Sequence, residues 1–476
     1  MIVPTRAFVE MTRRAFLSGL AAGAGGLLRR PQADGAWAYD KRPDIVLSIS
    51  NVRVDVAPGH VVKTTAYNAS VPGPVIRLRE GTSVSVEIFN ETDTPEYVHW
   101  HGLPLPAEID GAGEEKSLVV PPRGYLRYHM TPEAPGSRYV HSHAMAMNDL
   151  SRGVYSGQFG FVYVESNSNT GRYDREVFLA THEWDPFFIE GDEDAAPGTL
   201  ERFGETDWGS SMVEVGYKIR SINGKALGHG EPIRVREGER VLFHLLNANG
   251  TENIELSLPG HEFIVIALDG NEVPNPQRIG VLELGVGERV DAIVEMKNPG
   301  VWILGSADED VRGSGLGIIV EYAGRKGLAS ISKTTGAGWD YAIFGENQGV
   351  PAPDETVPMV IERARPDENG FERWTVNGES FDQKKEPRIL EKGRRYRLVL
   401  DNRSGDAHPL HLHRNTFELT SIDGRPTSGI KKDVVLVKPH QTVAVDFTPA
   451  REGLTLFHCH NQLHMDFGFK TLFNVV

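Results

Sequence analysis

The chain has 476 residues, of which 39% are hydrophobic and 24% charged, with a formal net charge of −15. That balance excludes a nucleic-acid binder, because phosphate contacts need clustered Lys and Arg, which the sequence lacks. A single cysteine excludes an intrachain disulfide.

The N-terminal stretch MTRRAFLSGLAAGAGGLL carries Arg13 and Arg14, then an apolar run from Ala15 to Leu28. The run is about 14 residues long, too short to cross a bilayer core of ~30 Å as a helix. A basic start followed by a short apolar stretch reads as an export signal, and Ala36-Trp37-Ala38 supplies the cleavage site. Residues 1–38 are therefore expected to be a signal peptide, and the mature chain to begin at Tyr39. T-R-R-A-F-L resembles a twin-arginine signal, which addresses proteins that are exported already folded. Folding before export agrees with the single cysteine. The expected location is the periplasm or another exported compartment, with the twin-arginine machinery as partner. The signal end has no cysteine for a lipid anchor, and no later stretch approaches 18 apolar residues, so no stable membrane anchor is expected.

Beyond the signal, 51 Gly and 29 Pro favour many short strands joined by turns. Three stretches align with one another, beginning at Glu80, Glu237 and Glu391. Each reads as an acidic-glycine turn, an alternating strand, a polar Asn/Gly turn and a second strand. Gly81 to His99 and Gly393 to His411 are both separations of 18 residues. Asp406–Gly424 matches Glu252–Gly270 without a gap, so the histidines of the third copy fall on Ile254, Ser257 and Pro259 of the second. The expectation is an all-β protein of three antiparallel Greek-key sandwiches, at 39–166, 167–323 and 356–476. Residues 324–355 are Gly- and Pro-rich and read as a linker. The acidic stretch 190–211 is expected to help form a substrate face.

Ten of the 17 histidines fall in four clusters. These are HWH (His99, His101), HSH (His141, His143), HPLHLH (His408, His411, His413) and HCHNQLH (His458, His460, His464). The only cysteine, Cys459, lies inside the last. Strand side chains alternate faces. By that parity one face collects His408, Cys459 and, through the next turn, His464. The other can collect His99, His101, His141, His143, His411, His413, His458 and His460. Two imidazoles and a soft thiolate with a variable axial position are a blue-copper donor set. Zinc also accepts such ligands, but it explains neither the eight further histidines nor their pairing. Eight imidazoles are too many for one ion and fit three coppers. Cys459 would then serve one site while its two covalent neighbours serve the other.

HWHG, HSH, HPLHLH and HCHNQLH on three repeats resemble the three-domain multicopper oxidases, a family that includes laccases, bilirubin oxidases and metal oxidases. The resemblance implies cupredoxin-like domains and four copper ions. It implies a type 1 copper held by His408, Cys459 and His464, and a type 2 copper held by His99 and His411. It implies a type 3 pair held by His101, His141, His143, His413, His458 and His460. The axial position falls on Phe469, which cannot ligate, so a raised reduction potential is expected. Asp110 matches an acid near the three-copper cluster, where it would relay protons or orient a bound water; its other reading is a turn residue. Met465 follows His464 where some relatives place a second acid.

The expected activity is laccase-like: one-electron oxidations of phenols or aromatic amines, entering at the edge of His464, coupled to reduction of O2 to water. The alternative is a metallo-oxidase acting on Cu(I), Fe(II) or Mn(II). A more distant one is an exported copper-binding or structural protein without turnover. Met145 and Met147, in AMAMNDL after HSH, are expected to pack in the core. The histidines outside the clusters, among them His244, are expected to be surface or packing residues.

Overall fold

The structure is a computed structural model, and it describes residues 42–166, 172–190, 213–330, 338–346, 348–367 and 369–476. The expected signal peptide and nearly all of the acidic stretch 190–211 lie outside the described residues. No described helix is long and apolar enough to cross a membrane.

Pro43–Val476 forms one compact unit. The described strands make six sheets, which succeed one another along the chain as three pairs. In the first pair, Ile45–Ala57, His60–Tyr67, Val84–Asn90 and Tyr125–Met130 share one sheet. Ile76–Arg79, Val98–His101, Gly136–Ser142 and Phe159–Glu165 share the other. The second and third pairs each have a six-stranded and a five-stranded sheet, and the two pairs connect their strands in the same order. The repeat is therefore topological as well as textual. Ile254–Ser257 of the second pair stands where His408–Leu412 stands in the third.

The sheets are mixed rather than purely antiparallel. Ile45–Ala57 pairs parallel with Val84–Asn90, Arg175–Glu190 with Arg240–Asn247, and Glu355–Ala364 with Tyr396–Asn402. The Greek-key path causes this. The chain leaves the first sheet, crosses to the other and returns beside its own first strand.

Alternation explains why these residues form strands. In Tyr396–Asn402 every second residue is buried: Tyr396, Leu398, Leu400 and Asn402. The closing asparagine then builds the turn that follows. Asn402 Oδ1 accepts from Ser404 N at 3.0 Å, and its Nδ2 donates to Asp406 O at 2.7 Å. Asn90 does the same with Thr92 N (2.9 Å) and Thr94 O (2.7 Å), and Asn247 with Asn249 N (3.1 Å) and Glu252 O (3.0 Å). This side-chain turn returns the chain to the opposite sheet, where the next strand bears the histidines in copies one and three.

One apolar core runs through the second and third sandwiches, and a separate one fills the first. Within the segment read as a linker, Tyr341–Phe344 packs into the fold. Tyr341 and Phe344 are buried, and the Tyr341 hydroxyl donates to Glu288 Oε1 at 2.6 Å.

Candidate metal centres

The first and third sandwiches present matching strand pairs. In the first, His99 of Val98–His101 stands opposite His141 of Gly136–Ser142. In the third, His411 of His408–Leu412 stands opposite His458 of Gly453–Cys459. The two pairs face each other, and all eight histidines are buried in one pocket. Ring centroids of His101, His141 and His460 are 5.1–5.6 Å apart. Those of His143, His413 and His458 are 4.9–5.3 Å apart. His99 and His411 are 5.7 Å apart beside both groups.

Hydrogen bonds fix one nitrogen of most rings and leave the other free. Backbone carbonyls take Nδ1 of His99 (Asp110 O, 2.8 Å), His141 (Ser142 O, 2.8 Å), His411 (Asp433 O, 2.7 Å) and His458 (Cys459 O, 2.8 Å). Carboxylates take His413 Nδ1 (Asp110 Oδ2, 2.8 Å) and His101 Nε2 (Asp433 Oδ1, 2.9 Å). The free atoms, including Nε2 of His99, His141 and His411 and Nδ1 of His101, are buried with no hydrogen-bond partner among the described residues. A buried lone pair aimed at other lone pairs is costly unless a cation sits between them. The sharpest case is His413 and His458. Both carry their proton on Nδ1, so two Nε2 lone pairs confront each other at 3.0 Å. Burial, reinforced by neighbouring imidazoles, holds His101, His141, His143, His411, His413 and His460 well below the usual histidine range. Neutral imidazole is the form that binds a metal.

The second donor set is separate. His408 and His464 hold their Nδ1 atoms 3.8 and 3.7 Å from Cys459 Sγ. The Ser404 hydroxyl, 2.8 Å from His408 Nε2, turns that ring so that Nδ1 faces the sulfur. His464 comes from the short helix Gln462–Asp466, whose start Asn461 caps by accepting from His464 N. Burial pushes the Cys459 thiol up and His464 down to about 3. A thiol this buried stays protonated unless a cation replaces the proton. Phe469 is fully buried, with its ring 5.0 Å from His408. Trp374 packs 4.5 Å from both His408 and His464. Donor atoms of His408, Cys459 and His464 lie within 4.8 Å of one another, as do those of His143, His413 and His458 and those of His99, His101 and His141. The residues present fit copper at both places: soft thiolate with imidazole at one, paired imidazoles at the other.

Three carboxylates stand behind the histidine pocket. Asp110 Oδ2, between His413 and His99, is 3.2 Å from His99 Nδ1. Glu115 Oε1 lies 3.5 Å from His413 Nδ1; burial, then the charge of Asp110, pushes its carboxyl well above the usual range. Burial would also raise Glu114, but Lys470 Nζ at 2.7 Å brings it below the usual range. Sequence reasoning found Asp110 and missed Glu114, Glu115 and Asp433. Asp433 lies before an apolar run and the two glutamates lie in a turn, so no periodicity marks them. The AMAM expectation is corrected: Met145 and Met147 are 43% and 39% exposed. The buried Asp466 pins this loop's backbone by accepting from Ala146 N and Met147 N at 3.0 and 2.7 Å, with the two methionine side chains turned outward.

The fold and these two donor sets define a class of copper-dependent electron-transfer enzyme. Sequence comparison agrees. Models described as multicopper oxidase match residues 48–169, 213–321 and 351–476, most of the chain. The chain is similar to multicopper oxidase MmcO of Mycobacterium tuberculosis, with 26% identity over 97% of this chain and 96% of the relative. It is similar to a copper resistance protein A homolog of Pseudomonas syringae, with 23% identity over 98% of each chain. A multi-copper oxidase from Pseudomonas thermotolerans shares the fold, with TM-score 0.69, 24% identity and coverage of 90% of this chain and 98% of that one. The chain belongs to the multicopper oxidase family. It is an oxidoreductase that uses O2 and a reducing substrate, with copper as cofactor.

Proposed function

We propose that the protein is an exported laccase-like oxidase that withdraws single electrons from phenols or aromatic amines and reduces O2 to two waters. In this reading the chain is organised as a signal (1–38), three cupredoxin domains (39–166, 167–323, 356–476) and a connecting segment (324–355). His408, Cys459 and His464 would hold the type 1 copper, with Phe469 packed against His408 beside them. His99 and His411 hold type 2. The two histidine triads, His101/His141/His460 and His143/His413/His458, hold the type 3 pair. Four bound coppers supply the one-electron redox chemistry at the first site and the four-electron chemistry at the second.

The chain's own residues do the rest. Near His464 in sequence, Phe467 stacks on Phe371 at 4.3 Å and 8° and Phe188 adds an edge at 5.3 Å, while Trp374 packs 4.5 Å from His464 itself. This partly buried aromatic group beside the His464 helix supports the choice of an aromatic reductant, because aromatic rings prefer stacked and edge partners. The peptide from His458 through Cys459 to His460 joins the two donor sets covalently. Each O2 also consumes four protons. Asp110 and Glu115, both against His413 Nδ1, are the acidic side chains placed to relay them. Lys470 keeps Glu114 charged near His143.

A second reading, oxidation of Cu(I), is favoured by the two exposed thioethers of Met145 and Met147. They line a cleft of about 730 Å³ together with Asp466 and Phe467, next to the His464 helix. Oxygen uptake with a phenol, with Cu(I) and with Fe(II) in parallel decides between them. Faster uptake with phenol supports the laccase reading. Faster uptake with a metal ion, lost in a Met145→Leu/Met147→Leu double variant, replaces it.

A further inference from the structure

The second sandwich carries none of the clustered histidines, yet it reaches the histidine pocket. Its turn between Val281–Leu284 and Arg289–Glu295 inserts there. Arg289 is fully buried and grips Asp433 of the third sandwich with a two-pronged contact, NH1 to Oδ1 at 2.7 Å and NH2 to Oδ2 at 2.6 Å. Its remaining donors are also matched: Nε to Ser137 O, NH1 to Gly287 O and NH2 to Asp269 O. A guanidinium with all five N–H groups engaged has one orientation.

Asp433 in turn holds two pocket histidines. Its Oδ1 accepts from His101 Nε2, and its backbone carbonyl accepts from His411 Nδ1. Those rings are stacked at 3.7 Å and 11°. Asp269, also from the second sandwich, fixes the Asp433 backbone by accepting from the amides of Asp433 and Val434 at 3.2 and 3.1 Å. The fit leaves no slack. A Cβ on Gly102, in HWHG, would stand 2.6 Å from Asp433 Oδ2 and 2.8 Å from Arg289 NH2. A Cβ on Gly287 would stand 2.9 Å from the His460 ring.

We propose that Arg289 is a positioning residue of the three-copper site. Through Asp433 it sets the direction of His101 and His411, so the copper-free sandwich is a working part of the oxygen-reducing centre rather than a spacer. The inference rests on the reading of His101 and His411 as copper ligands. A bare positive charge at this place would neutralise Asp433 but could not hold both of its oxygens, so the fork matters as well as the charge.

The test compares parent, Arg289→Lys and Arg289→Gln, each isolated with copper and challenged with a chelator. Copper content, the paramagnetic resonance of the type 2 copper and the blue thiolate band are read together. The blue band reports the distant Cys459 site and serves as an internal control on folding. In Arg289→Lys the expected result is a retained blue band, an altered type 2 resonance and three-copper retention weakened roughly 10–100-fold. Arg289→Gln is expected to lose more of the same signal. Parent-like resonance and retention in Arg289→Lys would overturn the proposal, as would parallel loss of the blue band and of the type 2 signal. The parent separates the two claims: a parent without any type 2 resonance sinks the ligand assignment itself.

Discussion

Asp110 accepts a hydrogen bond from His413 across the joint between the first and third sandwiches, Oδ2 to Nδ1 at 2.8 Å. Its other oxygen is buried with no hydrogen-bond partner among the described residues. A turn residue would need neither feature. Asp110→Asn keeps the size of the side chain but removes its charge and its basicity. Turnover is expected to fall roughly 10–100-fold with the copper complement retained. Full turnover with all coppers bound would leave Asp110 only its place in the turn.

Phe469 is fully buried beside the Cys459 set, with its ring 5.0 Å from His408 and 5.7 Å from Trp374. Its carbonyl accepts from Cys459 N at 3.1 Å, so the backbone is held close to the sulfur. Phe469→Met should supply a weak axial donor that favours the oxidised ion, and lower the reduction potential of the blue copper. The exchange is nearly volume-conserving and should cost less than about 1.5 kcal/mol of stability. A redox titration that returns an unchanged or higher potential contradicts this account of the axial position.

Gly111 ends the short helix Ala107–Asp110 with φ of +96°. A Cβ there would lie 2.0 Å from Val98 O and 2.7 Å from His99 Cα. Gly111→Ala therefore combines backbone strain with overpacking against the first HWH histidine, at a cost of about 2–5 kcal/mol. Thermal unfolding together with copper retention measures it, and a variant as stable and copper-replete as the parent would show that the strand yields freely.

His244, expected to be an unremarkable packing residue, is a buried charged clamp. Burial alone would lower it, but Asp291 at 2.8 Å and Glu176 at 3.3 Å outweigh that and hold it up at about 9. The folded value lies above the unfolded one. Its stabilisation is therefore complete below pH 6.5 and is lost as pH rises through about 9. The contribution is up to about 3 kcal/mol. Unfolding midpoints followed from pH 6 to 10 should fall more steeply in the parent than in His244→Gln. Equal slopes would refute the clamp.

Much of this was legible in the sequence because it is local. Strand parity separates His408 from His411 and His413, and the structure brings His408, Cys459 and His464 together, apart from the other eight. The 18-residue spacing marks a repeat whose strand order recurs in the sheets. What was not legible is what long-range packing creates. Asp433 meets Arg289 across 144 residues of chain. Glu115 meets Leu456 N across 341. No spacing rule reaches that far. Met145 and Met147 read as core because they are apolar, but the amides of Ala146 and Met147 donate hydrogen bonds to the buried Asp466 while both methionine side chains stay exposed.

The central claim is that one peptide segment, His458–Cys459–His460, serves two separate copper sites. Copper content and the visible spectrum of the parent and of Cys459→Ser test it most directly. The account predicts about four coppers and an intense blue band in the parent. In Cys459→Ser the band should vanish with about one copper while the type 2 resonance remains. A variant that keeps the blue band, or a parent that binds no copper, would contradict it.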